Sequence, residues 1–153
     1  MRDEPSLAKV RGGYYTPPLV ASWLADWAIG SGAEQVLEPS AGDGVFARAV
    51  TARLTHQGQL TAVELLSEEA SKIEDADATG RTTVVRGDVF SWWDQSHRPQ
   101  FDVVIGNPPF IRYQHFPEAH RQVAFTLMRD YGLAPSRLTK CVGPVRGPSD
   151  GSA

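Results

Sequence analysis

The sequence predicts an α/β fold built on an incomplete parallel sheet with flanking helices, and three observations predict it. Short apolar runs alternate with stretches of helical period from Gln35 onward. Three of those runs end at a carboxylate: Glu38, Glu64 and Asp88. A turn of small residues joins the first run to a helix. Strand and helix in alternation point to parallel strands joined by helical crossovers. With 153 residues, 41% hydrophobic and 22% charged, the chain is long enough for one domain with a core of ordinary size.

Taken in order, residues 1–12 are polar and without period, and are read as a flexible arm. Thr16-Pro17-Pro18 predicts a helix start, with the Thr16 hydroxyl as N-cap and proline where a missing N–H costs nothing. Val20, Trp23, Leu24 and Trp27 follow at helical spacing, so this stripe is expected to face the core, and Gly30 is the expected stop. Gln35 to Glu38 reads as the first strand, Pro39-Ser40-Ala41-Gly42-Asp43-Gly44 as a tight turn, and Val45 to His56 as a helix. Gln59 to Val63 is a second strand ending at Glu64, and Ser67 is expected to cap a helix running to about Ala76. Arg81 to Arg86 is β-rich and ends at Gly87-Asp88. Phe101 to Gly106 reads as a fourth strand that runs straight into Asn107-Pro108-Pro109-Phe110. Val123, Leu127 and Tyr131 predict a helix around Pro117 to Tyr131. From Ala134 the chain is rich in Pro, Gly and Ser, so 134–153 is expected to be disordered and 13–133 to form the domain.

Composition closes off several function classes. Cys141 is the only cysteine, which excludes an internal disulfide and a thiolate-rich zinc site. His56, His97, His115 and His120 show no ligand spacing, so no metal is expected. No basic leader with an apolar core opens the sequence, and no apolar run approaches the ~20 residues needed to span a bilayer. A soluble, cytoplasmic protein without membrane partners is the expectation. The net charge of −3 is uneven: 9 Lys+Arg against 15 Asp+Glu up to Asn107 (−6), then 6 against 3 (+3). That later excess suits either a phosphate-facing surface or a solvated tail.

The chemistry resides in three places. The turn after the first strand lets a ligand approach the backbone and meet free N–H groups at a helix start, although glycine turns also join strands to helices for structural reasons alone. The carboxylates at successive strand ends lie where ligands bind in open α/β sheets. Glu64 suits the paired hydroxyls of a ribose, and Asp88 suits an exocyclic amine; a helix cap is the plain alternative for such acids. The full G-x-G-x-x-G spacing of a dinucleotide site is absent. In Asn107-Pro108-Pro109-Phe110, two prolines remove donors and stiffen the turn, leaving carbonyl acceptors beside an amide side chain and an aromatic face. Such a group suits a planar ring that carries an amine.

These residues together resemble the gamma-class N6-adenine DNA methyltransferases of restriction–modification systems. The matching pieces are Gly13-Tyr14-Tyr15-Thr16-Pro17-Pro18, then Glu38 to Gly44, then Glu64, Asp88 and Asn107 to Phe110, spanning about Gly12 to Tyr113. The resemblance implies a Rossmann-like class I fold that uses S-adenosyl-L-methionine. It implies that Tyr15, Thr16 and Pro17 border the methionine end of that cofactor. Glu38, Pro39, Ser40, Ala41, Gly42 and Gly44 would line it, Glu64 would hold its ribose, and Asp88 with Phe90 would contact its adenine. Tyr15 or Phe110 would set an aromatic face against the sulfonium. Asn107, Pro108, Pro109 and Phe110 would form the catalytic tetrapeptide, acting on an adenine flipped out of DNA.

The tetrapeptide is shared with methylases of RNA and of protein glutamine; the Tyr-Tyr-Thr-Pro segment is what favours DNA. The family's later strands, later motifs and target-recognition region are not recognisable in the sequence. The expectation is therefore a truncated product inactive alone, or one subunit of a split methylase that relies on a partner, or a non-catalytic remnant.

Overall fold

The structure, a computed structural model, describes residues 15–96, 99–108 and 118–134. The predicted arm at 1–12, Tyr14, the second half of the tetrapeptide (Pro109 and Phe110) and the tail at 135–153 lie outside the described residues.

Among the described residues four parallel strands make one sheet: β1 (Gln35–Glu38), β2 (Gln59–Glu64), β3 (Thr82–Arg86) and β4 (Val103–Val104), in the order β3-β2-β1-β4. The helices are α1 (Pro18–Ala28), α2 (Val45–Thr51), α3 (Ser67–Ala76), α4 (Val89–Gln95) and α5 (Glu118–Asp130). From β1 the chain steps outward through β2 to β3, then returns to place β4 on the other side of β1. That reversal opens a crevice at the carboxyl ends of β1 and β4, the position where open α/β sheets bind ligands.

The strands are short apolar runs because they are covered. Val36, Leu37, Leu60, Ala62 and Val63 are buried, together with Phe46, Ala47 and Val50 of α2 and Ala70 and Ile73 of α3. β4 forms only two ladder pairs but is pinned beyond them. The Asp102 amide donates to the Gln35 carbonyl at 2.8 Å, the Ile105 amide to the Leu37 carbonyl at 3.0 Å, and the Gln35 amide to the Asp102 carboxylate at 2.8 Å. Trp92 and Trp93 of α4 gather around Phe101, with ring centroids 6.3–6.4 Å apart, anchoring the approach to β4.

Four expectations are corrected. Of the predicted stripe, Trp23, Trp27 and Val20 are 65%, 81% and 44% exposed and only Leu24 is half-buried against the core; the fully buried face of α1 is Ala21 and Ala25. Small side chains let α1 lie close to α2, and the large residues at the same spacing turn outward. Pro17, not Thr16, occupies the α1 N-cap position, and the Thr16 hydroxyl meets Asn107 instead. Ser67 is the first residue of α3 rather than its cap; Glu68 and Glu69 sit in the first turn, where the helix dipole favours negative charge. Finally, α2 stops at Thr51 rather than continuing to His56.

Candidate functional site

β1 delivers Glu38 to the crevice, and the turn that follows is held open by β2. The Ala41 amide donates to the Val63 carbonyl at 2.9 Å, and the Gly42 amide donates to Glu64 Oε2 at 2.7 Å. The other oxygen, Glu64 Oε1, accepts from the Leu66 amide at 2.8 Å. Glu64 is thus a brace between the glycine turn and the end of β2, and it is 8% exposed. Each of its oxygens retains a second lone pair, so bracing does not exclude a ribose hydroxyl.

Two glycines have conformational reasons to be there. Gly44 has φ of 76° at the N-cap of α2, and a side chain on it would come within 2.8 Å of Ile73. Gly42 has φ of 55°, and a Cβ there would meet nothing within 4 Å: the backbone of the turn faces open space. Asp43 accepts from the Val45 amide at 3.2 Å, while its carbonyl accepts from Arg48 Nη1 at 2.6 Å.

Glu38 is the unusual member. It is 1% exposed, and among the described residues Oε2 has no hydrogen-bond partner. Burial pushes its carboxyl well above the ordinary range, and the nearby charges of Asp43 and Glu64 push it further; Arg48 and the Ala47 amide only partly offset them. The Ser40 hydroxyl, two residues along, is also buried and has no partner among the described residues. Pro39 is half-buried and Ala41 is buried.

Asp88, at the end of β3, caps α4: its Oδ1 accepts from the Ser91 amide at 2.9 Å and from the Ser91 hydroxyl at 3.0 Å. Phe90 lies half-buried in the first turn of α4. The structure therefore gives Asp88 a capping role, with Phe90 beside it. Leu65 and Leu66, which directly follow Glu64, are 58% and 40% exposed. They form an apolar wall next to the carboxylate that the sequence reading passed over; two leucines ending a strand otherwise look like core.

The other half of the site comes from β4. Gly106 packs close to the end of β1, where a Cβ would lie 3.4 Å from Pro39 Cδ and 3.7 Å from Glu38 Cγ. Its role was missed too, since a lone glycine before Asn107 carries no periodic signal. Asn107 is exposed, and its amide nitrogen donates to the Thr16 hydroxyl at 3.3 Å across 91 residues of sequence. Pro108 is half-buried, Tyr15 is 60% exposed and Pro17 is exposed. The pieces scattered over the sequence therefore meet: the segment before α1, the turn after β1, and the residues after β4.

The residues present fit S-adenosyl-L-methionine on their chemistry. Among the described residues a buried carboxyl oxygen and a hydroxyl lack partners beside a glycine backbone open to a ligand, and a further carboxylate stands next to exposed leucines. A cationic amino acid joined to a nucleoside would use each of these features.

Comparison with known proteins gives the same picture. The family model of the Eco57I restriction-modification methylase matches residues 48–132. A tRNA1(Val) (adenine(37)-N6)-methyltransferase of Tolumonas auensis is 31% identical over 106 residues, which is 66% of this chain and 43% of that protein. The type II methyltransferase M.HincII of Haemophilus influenzae is 27% identical over 111 residues, 72% of this chain and 19% of that protein. The chain thus spans less than half the length of these curated relatives. Among solved structures, a Pyrococcus horikoshii protein assigned as an RNA methyltransferase superposes with a TM-score of 0.56 at 23% identity, covering 78% of this chain and 58% of that one. The α/β class I methyltransferase fold and its cofactor, S-adenosyl-L-methionine, follow from these matches.

Proposed function

The chain belongs to the Eco57I restriction-modification methylase family, and from that premise we propose that it carries the catalytic site of a DNA adenine-N6 methyltransferase. The observation that supports this reading most is the contact between Thr16 and Asn107. It joins the Tyr-Thr-Pro segment to the first residue of the tetrapeptide, two of the segments that carry the DNA-methylase resemblance.

In this reading, S-adenosyl-L-methionine supplies a methyl group made electrophilic by its sulfonium. Glu38, Pro39, Ser40, Ala41, Gly42 and Gly44 line the cofactor; Glu64 holds the ribose, Asp88 and Phe90 flank its adenine, and Tyr15, Thr16 and Pro17 border the methionine end. The amine of the target adenine is a poor nucleophile because its lone pair is delocalised into the ring. The Asn107 side-chain oxygen and the Pro108 carbonyl accept its two hydrogens and return electron density to nitrogen. Pro109 stiffens that acceptor pair, and Phe110 stacks on the flipped base. Catalysis by this site consists of positioning and preorganised acceptors, without a covalent enzyme intermediate. Selection of a DNA sequence is assigned to a recognition region or partner subunit beyond the elements described.

A second reading, an RNA adenine methylase, is favoured by the tRNA-modifying relative from Tolumonas auensis. The two are separated by incubating the chain with labelled S-adenosyl-L-methionine and either duplex DNA or total tRNA, followed by nucleoside mass spectrometry. The DNA reading expects N6-methyldeoxyadenosine from duplex DNA. Methyl transfer confined to tRNA establishes the second reading, and transfer to neither contradicts both for this chain acting alone.

A further inference from the structure

We propose that Glu38 is neutral in the cofactor-free chain and gives up its proton when the cationic cofactor docks, so that this one side chain reads the charge of the ligand. The inference rests on the reading of the β1–α2 turn as the S-adenosyl-L-methionine site, and goes beyond it by assigning Glu38 a proton.

Three carboxyl groups meet at this turn, and their surroundings differ. Glu64 accepts amide hydrogens on both oxygens, from Gly42 and Leu66. Asp43 accepts from the Val45 amide. Glu38 is sealed, at 1% exposure; the Ala47 amide approaches its carboxyl, but among the described residues Oε2 has no partner. It lies between β2, which brings Glu64, and the turn and α2, which bring Asp43 and Arg48. The Arg48 guanidinium donates to the Asp43 carbonyl, so it is held on the backbone of the turn. On the β4 side the approach is by Gly106, which carries no charge. A buried carboxylate beside two others, opposed by one cation held elsewhere, is costly, and protonation removes that cost.

The cofactor carries a sulfonium and an ammonium against one carboxylate, a net charge of +1 in its ordinary ionisation state. A cation entering the turn repays ionisation of the carboxyl it faces. The step balances as neutral Glu38 plus cationic ligand giving the carboxylate–cation pair, with the proton released to solvent.

The experiment is calorimetric titration of the full chain with S-adenosyl-L-methionine near neutral pH, repeated in buffers of different ionisation enthalpy and at a series of pH values. Release of about one proton per cofactor is expected, with affinity rising by up to about tenfold per pH unit until Glu38 ionises in the free chain. In Glu38→Gln both effects disappear. Infrared difference spectra of the unliganded chain give a reading independent of binding: a protonated-carboxyl band at neutral pH in the wild type, missing in Glu38→Gln. Cofactor binding without proton release, release that persists in Glu38→Gln, or an unliganded chain without that band each overturns the proposal and leaves the cofactor site standing. A folded chain that binds no cofactor overturns the site and the proposal together.

Discussion

Glu64 is where structure and cofactor chemistry are hardest to separate, because its two oxygens hold the amides of Gly42 and Leu66. Hydrogen bonds to a charged group contribute about 1.5–3 kcal/mol each. Glu64→Ala is therefore expected to lower stability by a few kcal/mol in urea unfolding, in addition to weakening cofactor binding; Glu64→Gln keeps one acceptor and falls between. Asn107 has the opposite profile. Its side chain is exposed and lies outside the core, so Asn107→Ala is expected to leave the urea midpoint and cofactor affinity nearly unchanged while cutting methyl transfer about 10²–10³-fold, the usual effect of deleting one preorganised polar group. A large loss of cofactor affinity in that variant would count against the role given to Asn107. As candidates, these residues were legible in sequence because each stands at the end of an apolar run. Their engagements were not. Nothing in the local pattern announces that Thr16 meets Asn107 rather than capping α1, since that bond depends on two segments brought together by the whole sheet.

Among the elements, β1, β2 and β3 were readable from apolar runs bounded by acids and glycines, and α3 from the serine at its start, which proved to be its first residue rather than its cap. The seven-residue α4 was not, being too short to show one; its only local signal is Asp88 three residues ahead of Ser91, a capping pattern. Asp88→Ala is expected to cost about 1 kcal/mol and to loosen α4, seen as faster amide exchange over residues 89–95. The helix α1 shows how a correct period can still point the wrong way. Hydrophobicity alone selects residues 20, 23, 24 and 27, of which only Leu24 packs against the core, while residues 21 and 25 are equally helically spaced and fully buried. Close packing on α2 selects the second set, where Ala21 and Ala25 are fully buried. Trp23→Ala is accordingly expected to change stability by no more than about 0.5 kcal/mol, as for a surface site. Ala25→Leu is expected to cost about 1–3 kcal/mol by overpacking. Equal effects of the two substitutions on the urea midpoint would overturn this assignment of faces.

Across the whole molecule, two buried or partly buried carboxyls pull the acid–base profile in opposite directions. The Ser31 backbone amide, with further donors from the Ser31 hydroxyl and the Gly30 amide, holds Glu34 down at about 2. Its stabilisation is complete above the ordinary value of 4.5 and is lost as pH falls toward about 2. Glu38 is raised instead, so between its ordinary and folded values the native state binds more protons than the unfolded chain, and stability falls as pH rises. Glu38→Gln is thus expected to raise the melting temperature of the unliganded chain at neutral pH, whereas Glu34→Gln lowers it; thermal unfolding followed by circular dichroism at pH 4 and pH 7.5 checks both signs. The fold class was legible at this scale because strand–helix alternation admits few topologies. The placement of β4 beside β1, which creates the crevice, rests on pairings such as Asp102 with Gln35 that no short window of sequence contains. The measurement that tests the central claim most directly is calorimetric titration of the chain with S-adenosyl-L-methionine, run alongside Glu64→Ala, with circular dichroism confirming that both are folded. One-site binding by the wild type that is lost or greatly weakened in Glu64→Ala is the predicted result. A folded wild-type chain that takes up no cofactor, or a Glu64→Ala variant that binds it equally well, would contradict the site placed at the ends of β1 and β2.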